Sequence, residues 1–331
     1  LLVEPLLRLL SVPEEIFDLA VLYLRVFWLA MPFILLYNFE SSIFRSQGDT
    51  RTPLYCLIAS GITKFFLNLF FILVLDMSVE GVAIGTIVAT ALSSAMLFYF
   101  LCRSQTEIRV RLTEFHVDKR ILLPMLRIGL PAGMQGMVFA LSNLCIQSAI
   151  NELGPDVMAA SAAAFNLEIF TFFLINAFGQ VCTTFVSQNY GARNIRRCKQ
   201  AMKWCLFQDL LLTACICALL ILFGVPLLHI FSDDSTVVAL GFIRLKYVAG
   251  LEFINAVIEV VSGAMRGYGS SLIPALITLF GICGTRVTWV YTVFAWEPDF
   301  ATLMMVFPVS WAVTAAILCV AYAWFIKQLK A

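Results

Sequence analysis

Five carboxylates lie inside strongly apolar runs: Glu40, Glu168, Asp209, Glu252 and Glu259. A charge at mid-bilayer costs about 2.5–3.5 kcal/mol on insertion scales, so such residues normally face a bundle interior or an aqueous cavity. Glu252, Asn255 and Glu259 are spaced i, i+3, i+7, which stacks them on one helix face over two turns. The run 159–187 adds Asn166, Glu168, Asn176 and Gln180, and the run 128–150 adds Gln135, Asn143 and Gln147. Oxygens of this kind suit a hard cation, so Glu168, Glu252 and Glu259 are candidates for transient Na+ binding or proton exchange. The competing reading is that these side chains only tie helices together, at about 0.6 kcal/mol per interhelical hydrogen bond.

Basic residues in the runs divide by depth. Arg25, Arg244 and Lys246 lie within two turns of a run's end and are expected to snorkel to the interface. Lys64 and Arg286 lie deeper. Arg286 is expected to pair with a carboxylate of its own bundle, either as a releasable partner or as a permanent brace. Asp209, near the end of its run, is expected at the interface.

The elements that must position these groups are membrane helices. The 331 residues are 61% hydrophobic and 13% charged, with a mean hydropathy of +0.92. Soluble domains are nearer half apolar and a quarter charged. Runs long enough to cross a hydrocarbon core, about 20 residues each, fall at 19–43, 54–75, 81–101, 128–150, 159–187, 201–231, 237–264, 272–295 and 302–326, after a stub at 1–10. The expected fold is all-α and polytopic. Taken alternately, the connections 11–18, 76–80, 151–158, 232–236 and 296–301 hold eleven acidic residues and no Lys or Arg. The others, 45–52, 102–127, 188–203, 265–271 and the tail 327–331, hold sixteen basic residues. The positive-inside rule places that second set, with the C-terminus, in the cytoplasm.

The chain also repeats itself. A shift of 221 positions pairs PLLRLLS (5–11) with PLLHIFS (226–232) and FRSQGDTRTP (44–53) with MRGYGSSLIP (265–274). Arg45, Gly48 and Pro53 thereby match Arg266, Gly269 and Pro274, while Asp49 meets Ser270. In the first loop Thr52 and Pro53 are expected as N-cap and first helical residue. An acid replaced in the second copy points to a connector rather than a chemical centre. Both loops lead from an inbound to an outbound helix, so the copies share one orientation, as in transporter halves related by an axis along the membrane normal. The second copy begins near Arg127, and the shift places its counterpart about 94 residues ahead of Leu1. The expectation is a chain lacking its N-terminal helices: 1–103 as the end of an N-lobe, 104–126 as a cytoplasmic connection, and 127–331 as a six-helix C-lobe.

FRSQGDTRTP followed by GVAIGTIVAT (81–90), with RIGLPAGMQ (127–135), SQNYGARN (187–194) and MRGYGSSLIP, resembles the multidrug and toxic compound extrusion (MATE) transporters. The resemblance implies a V-shaped pair of six-helix bundles exporting cationic or amphipathic organic compounds against protons or sodium ions. It also favours the helices that carry Glu168, Glu252 and Glu259, since members place acidic residues on the corresponding C-lobe helices. The expected setting is a multi-pass protein of the cell membrane, monomeric, with no cofactor beyond the coupling ion, no permanent metal and no nucleic-acid partner. A lipid-linked saccharide flippase of the same fold group is the alternative; it needs a more basic cavity. An enzyme is not expected, because His116 and His229 lie on opposite sides and no nucleophile elbow or phosphate loop occurs. The ten cysteines lie mostly in apolar runs, with no CxxC pair, and read as small hydrophobes.

Overall fold

The computed structural model describes residues 3–5, 14–77, 79–111, 113 and 116–329. Most of the stub, including the repeat positions Leu6 and Leu7, lies outside them, as do Ser11 and Lys330. No strand occurs among the described residues. The helices are α1 (Glu14–Ser46), α2 (Arg51–Leu73), α3 (Val79–Arg103), α4 (Lys119–Glu152), α5 (Pro155–Gly191) and α6 (Ile195–Leu222), the short α7 (Gly224–Leu228), then α8 (Ser235–Tyr247) and α9 (Phe253–Gly267). Two further long helical segments complete the chain, α10 (Leu272–Phe294) and α11 (Phe300–Gln328). Eight of these are long and apolar enough to cross a membrane. The chain is therefore a multi-pass membrane protein.

The seventh expected span, 237–264, is not one helix. It breaks into α8 and α9 around the 3-10 turn Ala249–Leu251. Thirteen and fifteen residues are each too short to cross alone. Irregular backbone at membrane depth is tolerated where protein buries it or it lines a cavity. Here Ala249 is fully buried, and Glu252 at the head of α9 lines a cavity.

The chain divides into two compact units, Leu1–His116 and Val117–Ala331. In the first, α1 and α2 both pack on α3 around Phe44, Cys56, Leu97 and Leu101. Ser94 of α3 donates to the buried Glu40 of α1 at 3.2 Å. In the second, α5 and α9 approach most closely, because glycines meet there. A Cβ on Gly263 would overlap the Gly179 carbonyl oxygen, and one on Gly267 would lie 2.8 Å from Val186 Cβ. Thr183 Oγ1 donates to Gly263 O at 3.0 Å across the contact. Small residues that let backbones approach are the usual means of joining helices where lipid is as apolar as the side chains.

The repeat has a structural counterpart. Gly48 and Gly269 have φ of +84° and +86°. Asp49 N donates to Phe44 O, and Gly48 N to Arg45 O; Ser270 and Gly269 do the same to Met265 and Arg266. Each is a helix C-terminal Schellman turn with glycine in the left-handed region. The helix start after the first loop differs from expectation. α2 begins at Arg51, and Asp49 rather than Thr52 supplies the cap, accepting from Arg51 N at 3.0 Å, Thr52 N at 3.1 Å and Thr52 Oγ1 at 2.7 Å. A carboxylate reaches two backbone donors and a hydroxyl at once, which Thr52 could not do from inside the turn.

Candidate functional site

The second unit carries an open cavity of about 510 Å3 between α4, α5, the α8–α9 break, α10 and α11. That size suits a drug-like molecule. Its walls are largely aromatic and aliphatic, with Phe165, Phe307 and Trp311 among them. Four ionisable side chains line it: Glu168, Arg244, Glu252 and Arg286. All are at least nine-tenths buried.

Their partners differ from those the spacing suggested. Arg244 does not snorkel. It pairs with Glu168, Nε lying 3.1 and 3.2 Å from the two carboxylate oxygens and Nη2 2.9 Å from Oε2. Its Nη1 donates to Ser161 Oγ at 2.6 Å. The break explains this: Arg244 occupies the last turn of α8, and that turn ends inside the protein. A cation there also meets the negative end of the helix dipole. Arg286 does not take a carboxylate. Nη1 donates to Asn143 Oδ1 at 2.7 Å and Nε to Ser310 Oγ at 3.3 Å, with the guanidinium 4.5 Å from the centre of the Phe307 ring. It sits on the α-helical turn Thr285–Trp289, between two π-helical stretches of α10.

Glu252 and Asn255 face this cavity together. Glu252 Oε2 and Asn255 Oδ1 are buried without a hydrogen-bond partner among the described residues. Two adjacent unsatisfied acceptors are costly in a folded interior and fit a donor or a cation.

Glu259, expected on the same face, belongs to a different cluster. Its Oε2 accepts from Arg266 Nη2 at 3.4 Å. Arg266 Nη1 also donates to Gln135 Oε1 at 3.2 Å, and Gln135 Nε2 to Thr278 Oγ1 at 3.1 Å. Arg266 is thus both a residue of the second repeat loop and a partner of a partly buried carboxylate. Asp209 is no interfacial residue. It lies mid-way along α6, fully buried, and accepts from Thr213 Oγ1 at 3.0 Å. Its Oδ2 has no partner among the described residues.

The carboxamides separate as well. Asn143 and Gln147 line the cavity. Asn166 and Asn176 donate to the carbonyls one turn back in α5, Ala162 and Phe172, and do not line it. Sequence reading missed Arg244 as a site residue, although a basic residue eight positions before Glu252 in an apolar run was a visible signal. It also set Asp209 aside by its distance from the end of an apolar run.

The MatE family model matches residues 1–70 and 131–292. The chain is 26% identical over 293 residues to Probable multidrug resistance protein YoeA of Bacillus subtilis, covering 85% of this chain and 62% of that protein. It therefore spans a little over three-fifths of that relative's length. Among solved structures, a MOP superfamily transporter from Pyrococcus furiosus, described as having a binding pocket of reverse polarity, superposes with a TM-score of 0.92 at 20% identity. That match covers 99% of this chain and 74% of the other. A MATE structure in complex with MaL6 gives 0.91 at 19% identity, again over 99% and 74%. The shared all-helical fold and a family model that covers well over half of the residues lead to one conclusion: this chain belongs to the MatE family.

Proposed function

We propose that the protein acts as a secondary active antiporter, exporting organic compounds with a cationic or amphipathic character in exchange for protons or sodium ions. The observation that carries this reading is a pair of buried acceptors without hydrogen-bond partners among the described residues, Glu252 Oε2 and Asn255 Oδ1, on two residues that line an aromatic cavity. A proton, a sodium ion or the basic group of a substrate satisfies the same oxygens, so only one is held at a time. That mutual exclusion is the essence of exchange: loading the ion expels the substrate, and the substrate re-enters when the ion leaves. Glu168, held by Arg244, is the fixed neighbour whose orientation keeps Glu252 apart from a competing cation. Glu259 with Arg266 and Gln135 forms a second polar station further along α9, about 10 Å beyond Glu252 at 1.5 Å per residue. The protein is proposed to lie in the cell membrane with its C-terminus in the cytoplasm, on the charge asymmetry of its connections. It is proposed to work as a monomer without a cofactor beyond the coupling ion.

The test is transport by the intact protein in proteoliposomes, with proton and sodium gradients imposed separately. Glu252→Gln is expected to keep the protein folded and abolish gradient-driven efflux of an aromatic cation. Undiminished exchange by that variant refutes the assignment. Which of the two gradients drives wild-type efflux identifies the coupling ion.

A further inference from the structure

The exposed face of α6 forms one continuous stripe. Arg196, Lys203, Phe207, Ala214 and Ala218 follow one another at steps of four or seven residues, so they lie in line along the helix, and all five are exposed. The chemistry of the stripe changes along its length. Five of the eleven residues from Arg193 to Lys203 are basic, and no acidic residue occurs between Glu168 and Asp209. The side chains of Arg193, Arg196, Arg197 and Lys203 make no hydrogen bond or ion pair among the described residues. Next come Trp204 and Phe207, packed edge to face with ring centres 5.9 Å apart, as aromatic side chains stand at a membrane interface. Beyond them the stripe is apolar and runs into an open groove of about 440 Å3 lined by Ala214, Ala218, Leu222, Gly250 and Phe253. The groove exists because small side chains on α6 meet Gly250 in the turn between α8 and α9, where bulkier residues would fill it. Lys203 and Ala214 are eleven residues apart, about 16 Å at 1.5 Å per residue. That is the depth of one leaflet, half of a hydrocarbon core about 30 Å thick.

We propose that α6 binds one anionic phospholipid lengthwise, with its phosphate and acidic headgroup at Arg196, Arg197 and Lys203, its glycerol region beside Trp204, and an acyl chain in the groove at Ala214 and Ala218. The lipid belongs to the leaflet that the basic connections face, the cytoplasmic one on the proposed orientation. A positively charged connection alone orients a protein without asking for a particular lipid. Three features go beyond that: charges left without protein partners, their alignment with the groove on one helix face, and a separation that one leaflet's acyl chain spans. A soluble phosphate compound meets the charges but has nothing to place in the groove, and a neutral lipid does the converse. The stripe lies opposite the face of α6 that carries Cys198, Met202, Cys205 and Asp209 into the protein. No groove residue lines the larger cavity. The groove nevertheless touches the 3-10 turn that Arg244 precedes and Glu252 follows. A bound chain therefore packs against the segment that sets both of those side chains.

Brominated acyl chains quench a tryptophan that they touch, which makes Trp204 a reporter of the site. The intact protein in a neutral maltoside detergent is titrated with brominated phosphatidylglycerol or with brominated phosphatidylcholine. The Trp204 signal is the difference between each protein and the same protein carrying Trp204→Phe. Phosphatidylglycerol is expected to bind at least about tenfold tighter than phosphatidylcholine, since each basic residue near the surface strengthens binding of an anionic lipid by about fivefold. The triple variant Arg196→Gln/Arg197→Gln/Lys203→Gln is expected to remove that preference. Ala218→Leu, which fills the groove, is expected to weaken both lipids and keep their ratio. Equal binding of the two lipids by the wild type overturns the inference, whether or not the variants fold. A preference that survives the triple variant overturns the headgroup assignment, and unchanged affinities in Ala218→Leu overturn the place of the chain.

Discussion

The buried pair Arg244–Glu168 can be weighed by removing its members singly and together. Arg244→Met takes away the charge while keeping a long apolar stem between Phe165 and Phe307, both 5.8 Å from the guanidinium. It leaves Glu168, 4% exposed, with no cation in contact. Breaking a buried pair in this way typically costs about 3–5 kcal/mol, because an uncompensated charge stays behind. Glu168→Gln leaves Arg244 with the Ser161 hydroxyl and an amide oxygen, and a similar loss is expected, at the low end because the amide still accepts one bond. The double variant Arg244→Met/Glu168→Gln removes both charges, and replacing a buried pair with neutral groups is often close to neutral. The double variant is therefore expected within about 1 kcal/mol of wild type, so single losses of about 3 kcal/mol or more each give a coupling energy of about 5 kcal/mol or more in magnitude. Unfolding of the purified protein in mixed detergent and SDS micelles, followed by tryptophan fluorescence, measures all four corners of the cycle. Additive losses refute the reasoning, since they would mean that each side chain contributes its own packing and no shared electrostatic term.

Two further predictions concern the frame that holds the site. Gly263→Ala places a Cβ against the Gly179 carbonyl and pushes α9 from α5, with the Thr183–Gly263 bond lost; overpacking of this kind costs about 1–3 kcal/mol, read as reduced thermal stability in detergent, and an unchanged melting temperature would show that the glycine contact is looser than described. Asp49→Ala removes the cap of α2 and is expected to cost about 1 kcal/mol. Burial of the Asp49 carboxyl raises its pKa slightly, but the bonds from Thr52 and Arg51, aided by the Arg51 charge, outweigh that and hold it below the ordinary carboxylate value. A carboxyl depressed in the folded state stabilises at pH values above its unfolded pKa and loses that contribution as the pH falls through its folded one. The difference between wild type and Asp49→Ala is accordingly expected to be full at neutral pH and to shrink in acid below about pH 4; a gap that widens in acid contradicts the capping role.

Residue type and order determined the class of this protein. The apolar runs dictate helices because lipid offers no partner for backbone groups, and only helices or closed barrels satisfy them internally. The 221-residue repeat located the matching loops at 44–53 and 265–274, and Gly48 and Gly269 share one left-handed turn because an L side chain resists that φ. Glu168, Glu252 and Arg286 were marked as unusual by their burial cost alone, and all three line one cavity. What the linear pattern did not hold is who meets whom. The break at 249–251 is announced by little more than Gly250, since no proline interrupts the run. Once the run breaks, a residue judged close to a membrane surface, Arg244, ends up in the interior, and two acids seven positions apart, Glu252 and Glu259, join separate clusters. Arg244 and Glu168 are 76 residues apart, and Arg286 and Asn143 are 143 apart. Pairings across such distances follow from how α4, α5, α8 and α10 pack, which depends on glycine contacts and helix breaks acting together. Sequence assigns each side chain its chemistry; only the packed helices decide which charge remains without a partner and is left for a ligand.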